Sequence, residues 1–257
     1  MGSISIRRSI RWLPGEPEEP TCTVVLTSPS RRFVDLRILK SNEETCWPEN
    51  WHQEKTLPLE RLDWAIAGTS ATSATAGGVE HVVWRHWIDS RTQTPEHVVD
   101  QGDVIGQSDG TVLETGRGLN PATGTEEAYQ EVWEDNEVRA SACLVLSLDD
   151  GGRRGMVIRL GRYCQGLLRS ASGLTVERWR WNDAGGWAMV VRMGGERIPC
   201  SFAVGATTAE MGQGIGAEFE GWMVVEAQGQ GATSLCVQGE GRPGEPVSRP
   251  ESRPGDL

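Results

Sequence analysis

Short alternating segments punctuated by turn residues recur along most of this chain, and they restrict it to an antiparallel β fold. Asp109-Gly110, Asn120-Pro121-Ala122-Thr123-Gly124, Asp149-Asp150-Gly151-Gly152 and Asp183-Ala184-Gly185-Gly186 all offer residues that accept the backbone angles of a hairpin. Between the turns, apolar residues fall on every second position. Ile4, Ile6, Ile10 and Trp12 form one such series, with Arg8 as the single charge on their face. Val34, Leu36 and Ile38 form another, with Asp35 and Arg37 opposite; Leu62, Trp64 and Ile66, and Tyr129, Glu131 and Trp133, repeat the pattern. In the second half, residues 142–148, 155–160, 163–169, 174–181, 187–193, 197–204 and 217–226 read as strands. Turn signals at roughly 8–12-residue spacing predict an all-β sandwich or barrel.

The charges at 134–139 suggest a boundary, giving a first unit at 1–137 and a second at 138–226. Residues 227–257 are Gly, Pro, Glu, Arg, Ser and Gln with few apolar positions, and are expected to be a disordered tail. Residues 41–60 hold Trp47-Pro48 and Trp51-His52 in a poorly patterned loop of the kind that covers something.

The stretch 80–91 carries the most chemistry. Strict alternation places Val82, Trp84, His86 and Ile88 on one face and His81, Val83, Arg85, Trp87 and Asp89 on the other. Tryptophan on both faces reads either as one wall of a lined pocket or as a strand between a core and a covering loop. Eleven tryptophans against two tyrosines and three phenylalanines favour wide rings that fill a barrel or line an aromatic cavity. Asp89, sharing its face with Trp87, would be desolvated and its pKa raised, which suits a general acid. Glu131 and His86 are the other candidates to protonate or orient a substrate. Arg91 or Arg117 would hold a phenolate or carbonyl oxygen. Trp84, Trp87 and Trp133 would shield a cationic intermediate from water, with Trp64, Tyr129 and Glu114 as further ligand-lining residues. The plainer alternative makes Asp89, Arg91 and Arg117 an ion-pair network at a barrel end and His86 a core histidine bonded to a backbone carbonyl.

Several function classes are disfavoured. A net charge of −11 argues against nucleic acid and anionic membrane as partners. The apolar runs are too short to insert in a bilayer as helices, and the N-terminus lacks the apolar core of a signal peptide. None of the six cysteines stands in a CxxC pair, so reduced, inert thiols are expected. No GxSxG elbow, HExxH pair or convincing phosphate cradle is present, so neither a cofactor nor a metal is expected. His81 and His86 fall on opposite faces of an undistorted strand and would not share an ion.

Taken together, several segments resemble the fungal Hri family. They are Ser5-Ile6-Arg7-Arg8-Ser9-Ile10-Arg11-Trp12, Arg32-Phe33-Val34-Asp35-Leu36-Arg37, Leu62-Asp63-Trp64-Ala65-Ile66-Ala67-Gly68-Thr69 and Trp84-Arg85-His86-Trp87-Ile88-Asp89-Ser90-Arg91. Gly116-Arg117, the 120–124 turn, Glu131-Val132-Trp133, Tyr163-Cys164-Gln165-Gly166 and Glu177-Arg178-Trp179-Arg180-Trp181 extend the likeness over nearly all the chain except the tail. The resemblance implies two consecutive antiparallel lipocalin-like β-barrels and a cytoplasmic location, with the nucleus as a second. It brings no agreed activity. Residues 104–108 depart from the family pattern, which expects an aromatic-and-proline segment there.

Three functional readings remain. The first is a barrel that binds a small apolar or aromatic molecule, or a protein partner. The second is a cofactor-independent cyclase or isomerase of an unsaturated or prenylated aromatic metabolite in a fungal pathway. The third is a docking scaffold with an acidic surface.

Overall fold

The computed structural model describes residues 1–41, 56–138 and 143–228. Of the loop expected at 41–60 to act as a cover, residues 42–55 lie outside the described residues, as does the expected 227–257 tail from 229 onward. Eight strands form a closed antiparallel barrel in chain order, each paired with the next and β1 with β8. They are β1 (Gly2–Trp12), β2 (Thr21–Thr27), β3 (Arg32–Leu39), β4 (Leu62–Ala74), β5 (Glu80–Asp89), β6 (Asp100–Gly106), β7 (Val112–Asn120) and β8 (Thr125–Val138). A six-stranded antiparallel sheet follows, built from β9 (Cys143–Asp149), β10 (Arg154–Leu160), β11 (Tyr163–Ser170), β12 (Gly173–Asn182), β13 (Gly186–Met193) and β14 (Met223–Gln228). Its order is β13-β12-β11-β10-β9-β14.

The all-β architecture agrees with the patterning, but the second unit is an open sheet with β13 and β14 at its edges, where a second closed barrel was expected. The reason is written in β9 and β10. Cys143, Leu144, Val145 and Leu146 are all buried, as are Met156, Val157 and Ile158, so these strands have no wet face. A continuous apolar run of this kind marks a strand covered on both sides. One face packs on the barrel. The other packs beneath the segment between β13 and β14, which contributes Ile198, Cys200, Ala203, Phe219 and Trp222 to a second apolar cluster. Within that segment Cys200–Gly205 forms a short helix, α1, where a strand at 197–204 was expected. Six residues are too few to show a 3.6-residue period.

The main core lies outside the barrel. Ile4, Ile6, Val24, Leu26, Val34 and Leu36 point away from its axis and join Val145, Met156, Ile158, Leu160 and Leu167 of the sheet in one cluster. At about 25 cal/mol per Å² of apolar surface, such an interface is the largest single source of stability available to a sheet pair. Polar groups on the sheet also grip the barrel wall. Gln165 Nε2 donates to the carbonyls of Val24 and Val34 at 3.0 and 3.1 Å. Arg178 donates to Gln165 Oε1 at 2.7 Å and to the Leu36 carbonyl at 2.8 Å. The buried Glu226 accepts from Ser28 Oγ at 2.7 Å and from the Ser30 amide at 3.1 Å. No described helix is long and apolar enough to cross a membrane.

Candidate functional site

With the main aliphatic cluster of β1–β4 turned outward, the inward faces mix polar and aromatic side chains with a few aliphatic ones such as Ile66, Val82 and Val104. They enclose a cavity of about 1080 Å³. Trp64, Ile66, Trp84, Tyr129 and Trp133 line it together with Arg7, Asp35, Arg37, Asp89, Asp100, Glu114 and Glu131.

A β-bulge decides which part of 80–91 reaches this cavity. Pairing runs Ala67 with Ile88 and then Gly68 with His86, leaving Trp87 as the extra residue on β5. Parity reverses at that point. Trp84 and Asp89 both line the cavity, whereas Ile88 and Trp87 pack into the outer apolar cluster. His86 and Asp89, placed on opposite faces by strict alternation, therefore come together, with Nδ1 and Oδ2 2.8 Å apart. Gly68 makes the bulge possible: a Cβ there would sit 1.9 Å from the Arg85 carbonyl oxygen. A second register shift in β1, between Arg7 and Ser9, separates Ile4 and Ile6 outside from Ile10 and Trp12 within.

His86 is the middle of a carboxylate–imidazole–carboxylate line. Its Nε2 lies 2.9 Å from Asp100 Oδ2, and none of its side chain reaches solvent. Burial disfavours its charge, but the hydrogen bonds and negative charges of Asp100 and Asp89 outweigh that and push it up to about 9. The bonded-carbonyl expectation for His86 is thus replaced by a doubly bonded imidazolium. Asp89 is corrected as well. Burial would raise it, but hydrogen bonds from His86, the Arg91 amide and Trp64 Nε1 hold it below the usual carboxylate range. It is a fixed anion, and not the raised acid its tryptophan neighbours suggested.

The raised acid is Glu114, held at about 8 by burial first and by the nearby Glu131 carboxylate second, against the Tyr129 hydroxyl that donates to its Oε1 at 2.8 Å. Gly116 makes room for that contact, since a Cβ there would lie 2.6 Å from the Tyr129 hydroxyl oxygen. Burial, then Glu114 and Glu131, push the Tyr129 phenol well above its ordinary value. Glu131 accepts from Arg7 Nη1 at 2.5 Å and from Arg37 Nη1 at 3.3 Å. Arg7 also binds Glu19 at 2.8 Å. Arg37 holds Asp35 Oδ2 at 2.9 Å and lies 4.8 Å over the Trp64 ring, which Arg91 approaches at 4.3 Å.

The expected residues thus separate into groups. Glu114, Tyr129, Glu131, Trp133, Trp64, Trp84 and Asp89 line the cavity, and Arg91 stands at its wall, paired with Asp63 at 3.0 Å. His86 lies behind the lining and supports Asp89. Arg117 is on the rim, largely exposed and paired with Glu126, so it does not reach the buried groups. Trp87 faces the second sheet, on the side opposite Trp84. The ion-pair network expected from Asp89, Arg91 and Arg117 does not form as such: each has a separate partner. Arg7, Asp35, Arg37 and Asp100 escaped the sequence reading. Their one signal was Asp35 and Arg37 standing opposite three aliphatic residues on a strand that proves buried on both faces. Among the described residues no group of three His, Cys, Asp or Glu side chains is arranged to hold a metal. The cysteines at 22, 143, 164 and 200 are free thiols, and burial pushes Cys143 up to about 12.

Protein HRI1 of Saccharomyces cerevisiae strain Zymaflore VL3 is 24% identical over 231 residues, spanning 77% of this chain and 89% of that protein. Protein HRI1 of strain YJM789 is 24% identical over 199 residues, spanning 67% and 76% respectively. A crystal structure of an uncharacterized S. cerevisiae protein, YLR301w, superimposes with a TM-score of 0.67 at 21% identity, over 88% of this chain and 98% of that one; this supports the fold. The family model described as Protein HRI1 matches residues 3–226. The chain therefore belongs to the HRI1 protein family.

Proposed function

We propose that the barrel is a receptor for a small aromatic or apolar molecule. The observation that carries this reading is the hollow itself. At about 1080 Å³ it is as large as the pockets that bury drug-sized ligands. It survives because the apolar core sits on the outer wall. Trp64, Trp84, Trp133 and Tyr129 supply flat apolar surface, while a few buried polar groups set orientation. The test is a titration with the neutral fluorophore N-phenyl-1-naphthylamine. Saturable enhancement at one molecule per chain is expected. It should be abolished by Val104→Trp, which places an indole in the cavity from β6. Non-saturating enhancement, or equal enhancement in the variant, overturns the reading.

One observation favours a second reading, cofactor-independent cyclisation or isomerisation. Glu114 keeps its proton near neutral pH and points into a ring-lined cavity, as a general acid must. Asp89 is too well stabilised as an anion for that role. Conversion of a bound polyene or prenylated arene by wild type, and its loss in Glu114→Gln with ligand binding retained, is the result that would move the assignment from receptor to enzyme.

A further inference from the structure

The proposed receptor reading leaves open what the guest must carry, and the charges in the lining answer that. Among the described residues that line the cavity eleven are Asp or Glu and five are arginine, with no lysine or histidine. Four of those arginines already hold a carboxylate: Arg7 with Glu131, Arg37 with Asp35, Arg91 with Asp63 and Arg117 with Glu126. An incoming anion would meet a negative field with the buried guanidiniums already engaged. An incoming cation would meet carboxylates in excess.

Two buried polar atoms locate the point of contact. Among the described residues Asp35 Oδ1 has no hydrogen-bond partner, although Oδ2 of the same carboxylate is held by Arg37. Trp133 Nε1 is likewise buried and unpartnered. Both side chains line the cavity, and each residue is more than nine-tenths buried. A buried acceptor and a buried donor left open in this way each cost stability unless a guest or water completes them. The aromatic walls beside them can cover the apolar body of such a guest.

Resting on the receptor reading, we propose that the barrel selects organic ammonium ions: an aromatic amine whose N–H group donates to Asp35 Oδ1, with an acceptor oxygen, where the guest has one, facing the Trp133 indole N–H. The ammonium loses its hydration shell on entry, so it needs a charged partner inside, and Asp35 offers a fully buried oxygen left open among the described residues.

A matched naphthalene series tests this on the full chain by isothermal titration calorimetry. The probes are 1-naphthylmethylamine, 1-naphthalenemethanol and 1-naphthoate, which share a ring and differ in charge. The amine should bind on the order of tenfold more tightly than the alcohol, and the naphthoate more weakly than either. Asp35→Asn should bring the amine to within about threefold of the alcohol while leaving alcohol binding unchanged, because the amide keeps the shape and removes the charge. If that variant does not fold by circular dichroism, the wild-type order of the three probes alone decides the charge inference. Alcohol and amine binding equally, or naphthoate binding most tightly, overturns the charge inference and leaves the receptor reading standing. Binding of none of the three overturns both.

Discussion

The two faces of β3 divide the labour of this molecule. Val34, Leu36 and Ile38 face the second sheet, are almost fully excluded from solvent and belong to the main core. Asp35 and Arg37, their immediate neighbours in the chain, face the cavity and are joined in a charged network with Glu131. Both faces are buried, yet one is dry and close-packed while the other is polar and encloses empty space. A barrel that held its core inside would have to fill its interior. This one draws its cohesion from the contact between its outer wall and the sheet, so its interior is free to hold charge and a hollow.

That division predicts unequal responses from neighbouring residues. Leu36→Ala removes a fully buried side chain from a packed interface and should cost about 2–5 kcal/mol in chemical denaturation. Asp35→Asn, one residue away, should change stability by less than about 1 kcal/mol, since its carboxyl is raised by burial and one of its oxygens has no partner. Similar costs for the two would erase the distinction between the faces.

The His86 line is the strongest exception to a dispensable interior. His86→Ala strands Asp89 and Asp100 and should cost about 3 kcal/mol near neutral pH. A group whose folded pKa is raised to about 9 from 6.5 contributes stability that is complete below the unfolded value and is lost as pH rises through 9. The penalty of the variant should therefore shrink at alkaline pH, and a penalty that grows there would refute the charged-histidine assignment.

Glu114 gives a smaller effect than His86 and the most diagnostic one. Its folded pKa of about 8 lies above the ordinary 4.5, so the folded state holds the proton more tightly than the unfolded chain does. Stability should then fall as pH rises from about 4.5 through 8. Glu114→Gln keeps an acceptor for the Tyr129 hydroxyl and removes the ionisation, so melting curves across that range should flatten. A gain of about 1–2 kcal/mol at pH 8, with little change at pH 5, is expected. An unaltered pH profile would place the titrating carboxyl elsewhere.

These contrasts also explain what the sequence discloses. The strands with one aliphatic face, β1 to β3, are legible from alternation, and so is the all-β class. The direction in which that face points is not, because Val34, Leu36 and Ile38 would look the same turned inward to a core or outward to a partner sheet. β6 is invisible to the same reasoning. Asp100, Gly102 and Val104 present little apolar surface, since the strand borders a polar hollow. In β5 the two tryptophans masked the bulge: with an indole on each side, nothing in the pattern shows where parity reverses, and Ile88 and Asp89 were assigned to the wrong faces relative to Trp84. The open edge of the second sheet is legible only in hindsight, from strands with no polar face.

Gln165 and Arg178 clasp the barrel through the main-chain oxygens of Val24, Val34, Cys22 and Leu36. A handhold on the peptide backbone is indifferent to which side chains hang from the opposite surface. Substitutions in the barrel lining can accordingly be absorbed without loosening this grip.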